Sequence, residues 1–193
     1  MLKPLPTSKP SLLLLVSNSR RYPKELVIVT KVGAVRGPEG SWDPARSQSA
    51  IRSQVDENLL QREGKVHHIG LSNVTAEQIE EGRAIASIVC VQNHYNLAHR
   101  TDDALIDRLA TAGIAYVPLF PLAGFTPLQS ATLSGVATEL GVTPMQVALA
   151  WLLRRAPNVL LIPGTSSREH LRENLSAAEL ELPAHAMNAL EQI

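Results

Sequence analysis

Hydrophobic positions along this chain fall into two patterns that take turns. The first is the short continuous run, rich in branched side chains. Leu26-Val27-Ile28-Val29-Thr30, Ile88-Val89-Cys90-Val91, Ile114-Ala115-Tyr116-Val117 and Val159-Leu160-Leu161-Ile162 are the clearest, and a further run climbs from Val66 to Leu71. A strand covered on both faces needs such a run rather than strict alternation. The pattern predicts strands over 26–31, 66–71, 87–92, 114–119 and 158–162. A sixth run, Leu12 to Val16, reads as an edge strand or a poorly ordered tail. The second pattern is helical spacing: Ile51, Val55, Leu59 and Leu60 within 47–60, then Leu105, Ile106, Leu109 and Ala110 within 102–112, where Gly113 ends the helix. Further helices are predicted over 76–86, after Thr143, and briefly from Leu182-Pro183 to Ile193. The helix after Thr143 is apolar nearly all round (Val147, Ala148, Leu149, Trp151, Leu152, Leu153), so it belongs between neighbours. Strands alternating with helices predict an α/β fold with a parallel sheet.

Helix starts are marked by side chains that satisfy the first free N–H groups. Thr75-Ala76-Glu77-Gln78 is a capping box. Thr126-Pro127-Leu128-Gln129 and Thr143-Pro144-Met145-Gln146 add a proline at the first helical position. Ser166 with Glu169 makes a fourth box. Ser72-Asn73 sits between the run ending at Leu71 and the helix after Thr75. In a parallel α/β barrel, strand ends of this kind carry the chemistry. The pair either binds a ligand's carboxamide or only shapes the turn into the helix, and spacing alone does not choose. The polar stretch from Gly37 to Pro44 reads as a long loop, with Trp42 as a substrate contact or the cover of an apolar edge.

Composition narrows the partners. The chain has 193 residues, 45% hydrophobic, with a formal net charge of zero. That is enough for one domain with a real core. No basic excess points to nucleic acid or to an anionic membrane. The single cysteine, Cys90, excludes an internal disulfide, reads as a buried core residue and fits a reducing cytoplasm. The run at 12–16 is too short for a signal-peptide core or a membrane span. His94 and His99 have no metal-ligand partner at useful spacing and read as surface residues.

Glu63-Gly64-Lys65-Val66-His67-His68-Ile69-Gly70-Leu71-Ser72-Asn73 resembles the "EGK-x-R-x-x-G-x-SN" segment of the aldo-keto reductase family. The resemblance runs from about Tyr22 to Ile193 and covers several separate segments in order. It implies an unmatched segment over 1–20 and a partial barrel domain over 21–193. Residues 26–31 resemble the family's third strand, whose lysine, here Lys31, belongs to the catalytic tetrad. Ser72, Asn73 and Gln92 fall where the family holds the nicotinamide carboxamide. Phe120, Pro121 and Leu122 resemble the loop that wraps the cofactor pyrophosphate, and Leu119 stands where many members have a nicotinamide-stacking tyrosine. Gly164, Thr165, Ser166, His170, Glu173 and Asn174 fall in the family's adenosine-phosphate segment. There Arg168, His170 or Arg172 can pair with a 2′-phosphate, implying NADPH. Gly164 replaces a phosphate-binding lysine of some members. The implied function is NADPH-dependent hydride transfer to a small aldehyde or ketone, in the cytoplasm, with no resident metal.

The chain also departs from that pattern. A (β/α)₈ barrel has eight strands and about 250 residues. The runs above make five strands, or six with 12–16, so the predicted fold is an incomplete TIM-type barrel with strands one, two and four absent or replaced. Leu60 runs almost directly into Gln61-Arg62-Glu63-Gly64, where the family has a strand carrying the tetrad histidine. The tetrad aspartate and tyrosine have no counterpart. Tyr22, His67 and His68 lie at the wrong ends of their strands to replace them. Loss of a proton donor typically costs about 10²–10⁴ in rate, so a catalytically incomplete relative that only binds the nucleotide or a protein partner is the alternative. Missing strands leave an open sheet edge, which favours self-association. Light scattering should therefore show dimers or larger species, together with binding of a dye for apolar surface; a clean monomer that binds no dye would overturn this.

Overall fold

A computed structural model of the chain describes residues 34–39, 41–44, 47, 68–123 and 130–193. The predicted strands at 12–16 and 26–31, Lys31, nearly all of the 47–60 helix and the Thr126 helix start lie outside the described residues. The chain divides into two compact units, 1–67 and 68–193.

In the first unit, β1 (Ala34–Arg36) and β2 (Trp42–Pro44) pair antiparallel, Val35 opposite Asp43. The stretch read as a long loop is therefore a hairpin whose turn closes from Gly37 N–H to the Ser41 carbonyl at 3.0 Å. Ser41 also donates to the Asp43 carboxylate at 2.9 Å. A Cβ on Gly37 would meet both of those side chains, so a larger residue there would displace the Ser41–Asp43 contact.

The second unit is built around three parallel strands that stand in chain order: β3 (Ile69–Ser72), β4 (Ile88–Gln92) and β5 (Ala115–Tyr116). Helix α1 (Ala76–Ile85) makes the crossover from β3 to β4, and α2 (Asp103–Thr111) the one from β4 to β5. Four helices follow: α3 (Ala131–Leu140), α4 (Pro144–Arg155), α5 (Arg168–Ser176) and α6 (Ala184–Leu190).

The predicted strand at 158–162 is reduced to a single parallel bridge between Tyr116 and Val159. Tyr116 N–H donates to the Asn158 carbonyl and Leu160 N–H to the Tyr116 carbonyl, both at 2.8 Å. The next rung would need an N–H from Pro118, which has none. The predicted strand at 114–119 is regular only over Ala115–Tyr116. On its other side, toward β4, pairing continues past the proline: Val117 donates to Val91 at 2.8 Å and Leu119 to Asn93 at 2.7 Å.

Caps explain most helix boundaries. Thr75 with Gln78 and Thr143 with Gln146 form two of the four predicted boxes. Gly113 and Gly141 end α2 and α3 with φ of 67°. The Ser166–Glu169 box does not form. The Thr165 hydroxyl accepts the Ser167 N–H at 3.1 Å, and this turn leaves Ser167 as the cap of α5, accepting from His170 N–H. The helix before α4 begins at Ala131 under a Ser130 cap.

The core sits between the sheet and helices α2, α3, α4 and α6. Val147 to Leu152 of α4 are all buried, as the pattern predicted. Trp151 is fully buried, with the Tyr95 ring at 6.1 Å and the Arg100 guanidinium 5.1 Å over its face; its indole N–H donates to Glu191 at 3.1 Å. Cys90, expected in the core, is only half-buried, because it stands on the sheet face opposite the one that the helices cover. Among the described residues no single helix is long and apolar enough to cross a membrane.

Charges tie α2 to α4 and to the segment after β4. Arg155 reaches Asp103 at 3.1 Å and Asp107 at 2.7 Å, Arg100 reaches Asp103 at 3.0 Å, and the Tyr95 hydroxyl donates to Asp103. Burial pushes the Asp103 pKa up, but hydrogen bonds from Tyr95 and Arg155 and both guanidinium charges outweigh it and hold the carboxyl below its usual range. A carboxylate with a lowered native pKa stabilises the fold above its unfolded pKa and loses that contribution as pH falls through the native value. The melting temperature should therefore fall more steeply below about pH 4 in the native protein than in Asp103→Asn; equal slopes would overturn this role for Asp103.

Candidate functional site

Strand register builds the first part of the site. Ser72 pairs with Gln92 at the carboxyl ends of β3 and β4, and the Asn73 N–H donates to the Gln92 carbonyl at 2.9 Å. Side chains alternate along a strand. Gly70 and Ser72 therefore share a face with Cys90 and Gln92, while Leu71 and Val91 turn to the helices. A Cβ on Gly70 would collide with the Cys90 sulfur, so the two strands need glycine at this crossing. Asn73 then turns the chain with φ of 54°, a left-handed conformation that asparagine tolerates better than most residues. Its amide lies 3.4 Å from the Ser72 hydroxyl.

Gln92 is the unusual member. Its side chain is 5% exposed, yet neither its amide nitrogen nor its amide oxygen has a hydrogen-bond partner. A buried polar group without a partner costs about 1–3 kcal/mol. A planar donor–acceptor pair of this kind matches another amide.

The second part is the turn after Leu119. Phe120 and Ala123 have φ of 55° and 66°, and Ala123 N–H closes the turn on the Phe120 carbonyl at 3.0 Å. Asn96 donates to the same carbonyl at 3.1 Å. Phe120 is exposed, while Leu119, Pro121 and Leu122 are half-buried. His94 meets the Phe120 ring edge-on at 5.9 Å and stacks on His99 at 4.0 Å. Burial and the neighbouring His99 lower the His94 pKa. His94 is exposed, as read from the sequence, and His99 half-buried; through His94 the pair packs against Phe120 of this turn. Among the described residues no cluster could hold a metal ion.

The third part is 163–174. Gly164, Thr165 and Ser166 are exposed ahead of α5, with Arg168, His170 and Arg172 exposed on its first turns. Glu173 and Asn174 are half-buried, and the Asn174 amide donates to the Pro163 carbonyl at 3.3 Å, folding the segment back on the helix. The N–H groups and dipole at this end suit an anion. The structure brings Ser72, Asn73 and Gln92 together and connects them through backbone bonds to the 120–123 turn. Among the described residues no hydrogen bond joins 164–174 to that group.

Sequence reading gave Asn93 only a loop-shaping role, yet it is central. Its amide bonds both backbone groups of Val74, nineteen positions earlier, and the Asp102 carboxylate. No periodicity or motif signals a link at that separation.

The profile of the aldo/keto reductase family matches residues 58–193. Pyridoxine 4-dehydrogenase of Escherichia coli is 51% identical over 209 aligned positions, covering 89% of this chain and 73% of that protein. Those 209 positions outnumber the 193 residues here, so the relative alone fills part of the alignment. An uncharacterised oxidoreductase of Schizosaccharomyces pombe is 31% identical, over 89% of this chain and 67% of its own. The crystal structure of the thermostable aldo-keto reductase Tm1743 aligns with a TM-score of 0.63 at 34% identity, covering 75% of this chain and 52% of its own. Aldose reductase of Giardia lamblia aligns with a TM-score of 0.68 at 24% identity, over 84% and 58%, a likeness of fold. The chain thus spans about half the length of these solved structures. They are TIM barrels, and three parallel strands in chain order, alternating with helices, are an incomplete version of the same α/β fold. The chain belongs to the aldo/keto reductase family.

Proposed function

We propose that this chain is an oxidoreductase that binds NADPH, with hydride passing from the nicotinamide to an aldehyde or ketone. One observation carries the reading: the buried, unpartnered amide of Gln92 beside Ser72 and Asn73. A carboxamide has the donor and the acceptor that Gln92 lacks, so the residues present fit a nicotinamide. When bound, the cofactor supplies the hydride. The protein's own contribution is to orient and to cover. Gln92, Ser72 and Asn73 would hold the carboxamide, residues 120–123 would hold the pyrophosphate, and the N–H groups ahead of α5 would hold the adenosine phosphate. Exposed Arg168, His170 and Arg172 support the 2′-phosphorylated form over NAD. Lys31 is the one tetrad residue with a counterpart in this chain; with the tetrad tyrosine absent, the proton for the carbonyl oxygen would come from water.

The E. coli relative suggests where to look for a substrate: pyridoxine and the aldehyde formed on its oxidation. A cytoplasmic location belongs to the same reading. Exposure of Leu160, Ile162, Leu171 and Leu175 supports self-association.

A second reading is favoured by the relative's extra aligned positions. An internal deletion after Leu60, together with absent tetrad aspartate, tyrosine and histidine, would leave a nucleotide-binding protein without turnover.

Calorimetric titration separates these. NADPH should bind the native chain near micromolar affinity, roughly −8 kcal/mol. Gln92→Leu removes the unpaired amide, so it should raise stability by about 1 kcal/mol while weakening NADPH at least about tenfold. No binding up to millimolar NADPH would overturn the proposal. Binding without oxidation of NADPH by the pyridoxine-derived aldehyde would favour the second reading.

A further inference from the structure

We propose that Asn93 and Asp102 are positioning residues that hold the Ser72–Asn73 tip in the shape that receives the carboxamide; this rests on the nucleotide reading above. Asn73 stands in a left-handed conformation, which persists only where its surroundings enforce it. The enforcing contact is on the next residue. The Asn93 side-chain oxygen accepts the Val74 N–H at 3.1 Å, and its NH₂ donates to the Val74 carbonyl at 2.8 Å. The second hydrogen of that NH₂ goes to Asp102 Oδ2, also at 2.8 Å. Every polar hydrogen of the amide is used, and the tip is held at two points.

Asp102 and the Val74 backbone together fix which way the amide faces. Rotated by half a turn, the Asn93 oxygen would confront both the Asp102 carboxylate and the Val74 carbonyl. Tyr116 fixes the carboxylate in turn, its buried hydroxyl donating to the same Oδ2 at 2.9 Å. Asp102 occupies the cap position of α2, where an aspartate would ordinarily accept a helix N–H, yet it makes no side-chain cap bond. Its carboxylate faces the tip instead. Asn93 is also the residue after Gln92, and its carbonyl accepts the Leu119 N–H at 2.7 Å. One residue thereby connects the tip, the orphaned amide and the turn at 120–123.

The test uses the full chain and two probes, NADPH and adenosine 2′,5′-bisphosphate, which lacks the nicotinamide. Asn93→Ala and Asp102→Ala should each weaken NADPH about tenfold and leave the bisphosphate within about twofold. Asp102→Asn keeps an oxygen acceptor and should bind NADPH nearly as the native protein does. The double alanine variant should be no weaker than Asn93→Ala alone, because Asp102 acts through Asn93. Equal weakening of both probes, or unchanged NADPH affinity in Asn93→Ala, would overturn the proposal by showing a purely structural role or none. Should Asn93→Ala not fold, the contrast between Asp102→Ala and Asp102→Asn makes the same decision. A native chain that binds the bisphosphate but not NADPH, or neither, would remove the nucleotide reading and this inference with it, a result distinct from a native-like Asn93→Ala.

Discussion

Everything at the candidate site depends on the register of one parallel ladder. Backbone N–H and C=O groups buried in a sheet must be paired, and between β3 and β4 that pairing sets Ser72 against Gln92. A slip of one residue would turn every side chain over. Gln92 would enter the helical layer, and Val91, now completely buried, would replace it at the site. The core therefore enforces the register, and the register places the polar tip. Gly70 is part of the same constraint, because only a residue without a Cβ lets the strands cross beside Cys90.

Much of this was legible in the residues. Branched runs alternating with helical spacing gave the α/β order, and threonine–glutamine pairs marked the starts of α1 and α4. What escaped was non-local. Pro118 removes a donor just past β5, and the effect falls on a different segment, at 158–162. Ser166 and Ser167 both look like caps, and a Thr165 turn chooses between them. The hairpin at 34–44 is held by a backbone ladder and a turn bond that a polar stretch does not advertise. The candidate site was suggested only by family resemblance, since Ser72 and Asn73 have equally good reasons to be a turn. The clasp of Asn93 on Val74 had no signal at all.

Local cost gathers at one end of the sheet. Among the described residues, the non-glycine positions with positive φ are Asn73, Phe120 and Ala123. Asn73 follows β3, and the other two lie in the turn beyond β5. The buried unpartnered amide of Gln92 lies between them in the ladder. Strained backbone and unsatisfied polar groups persist where the surrounding fold is stable enough to impose them. Here that surrounding includes the buried face of α4 and the Tyr95–Trp151 packing.

Sheet order in the second unit follows chain order, with β3 beside β4 and β4 beside β5. Each new strand is therefore laid against the one just made, so the ladder is a history of synthesis written in space. Every bond that sets Ser72 opposite Gln92, or holds Asn93 on Val74, is made downstream of residue 67. A genetic rearrangement upstream can rewrite the other unit without editing a single one of those bonds. The geometry of the strand tips is thus independent of whatever residues 1–67 contain.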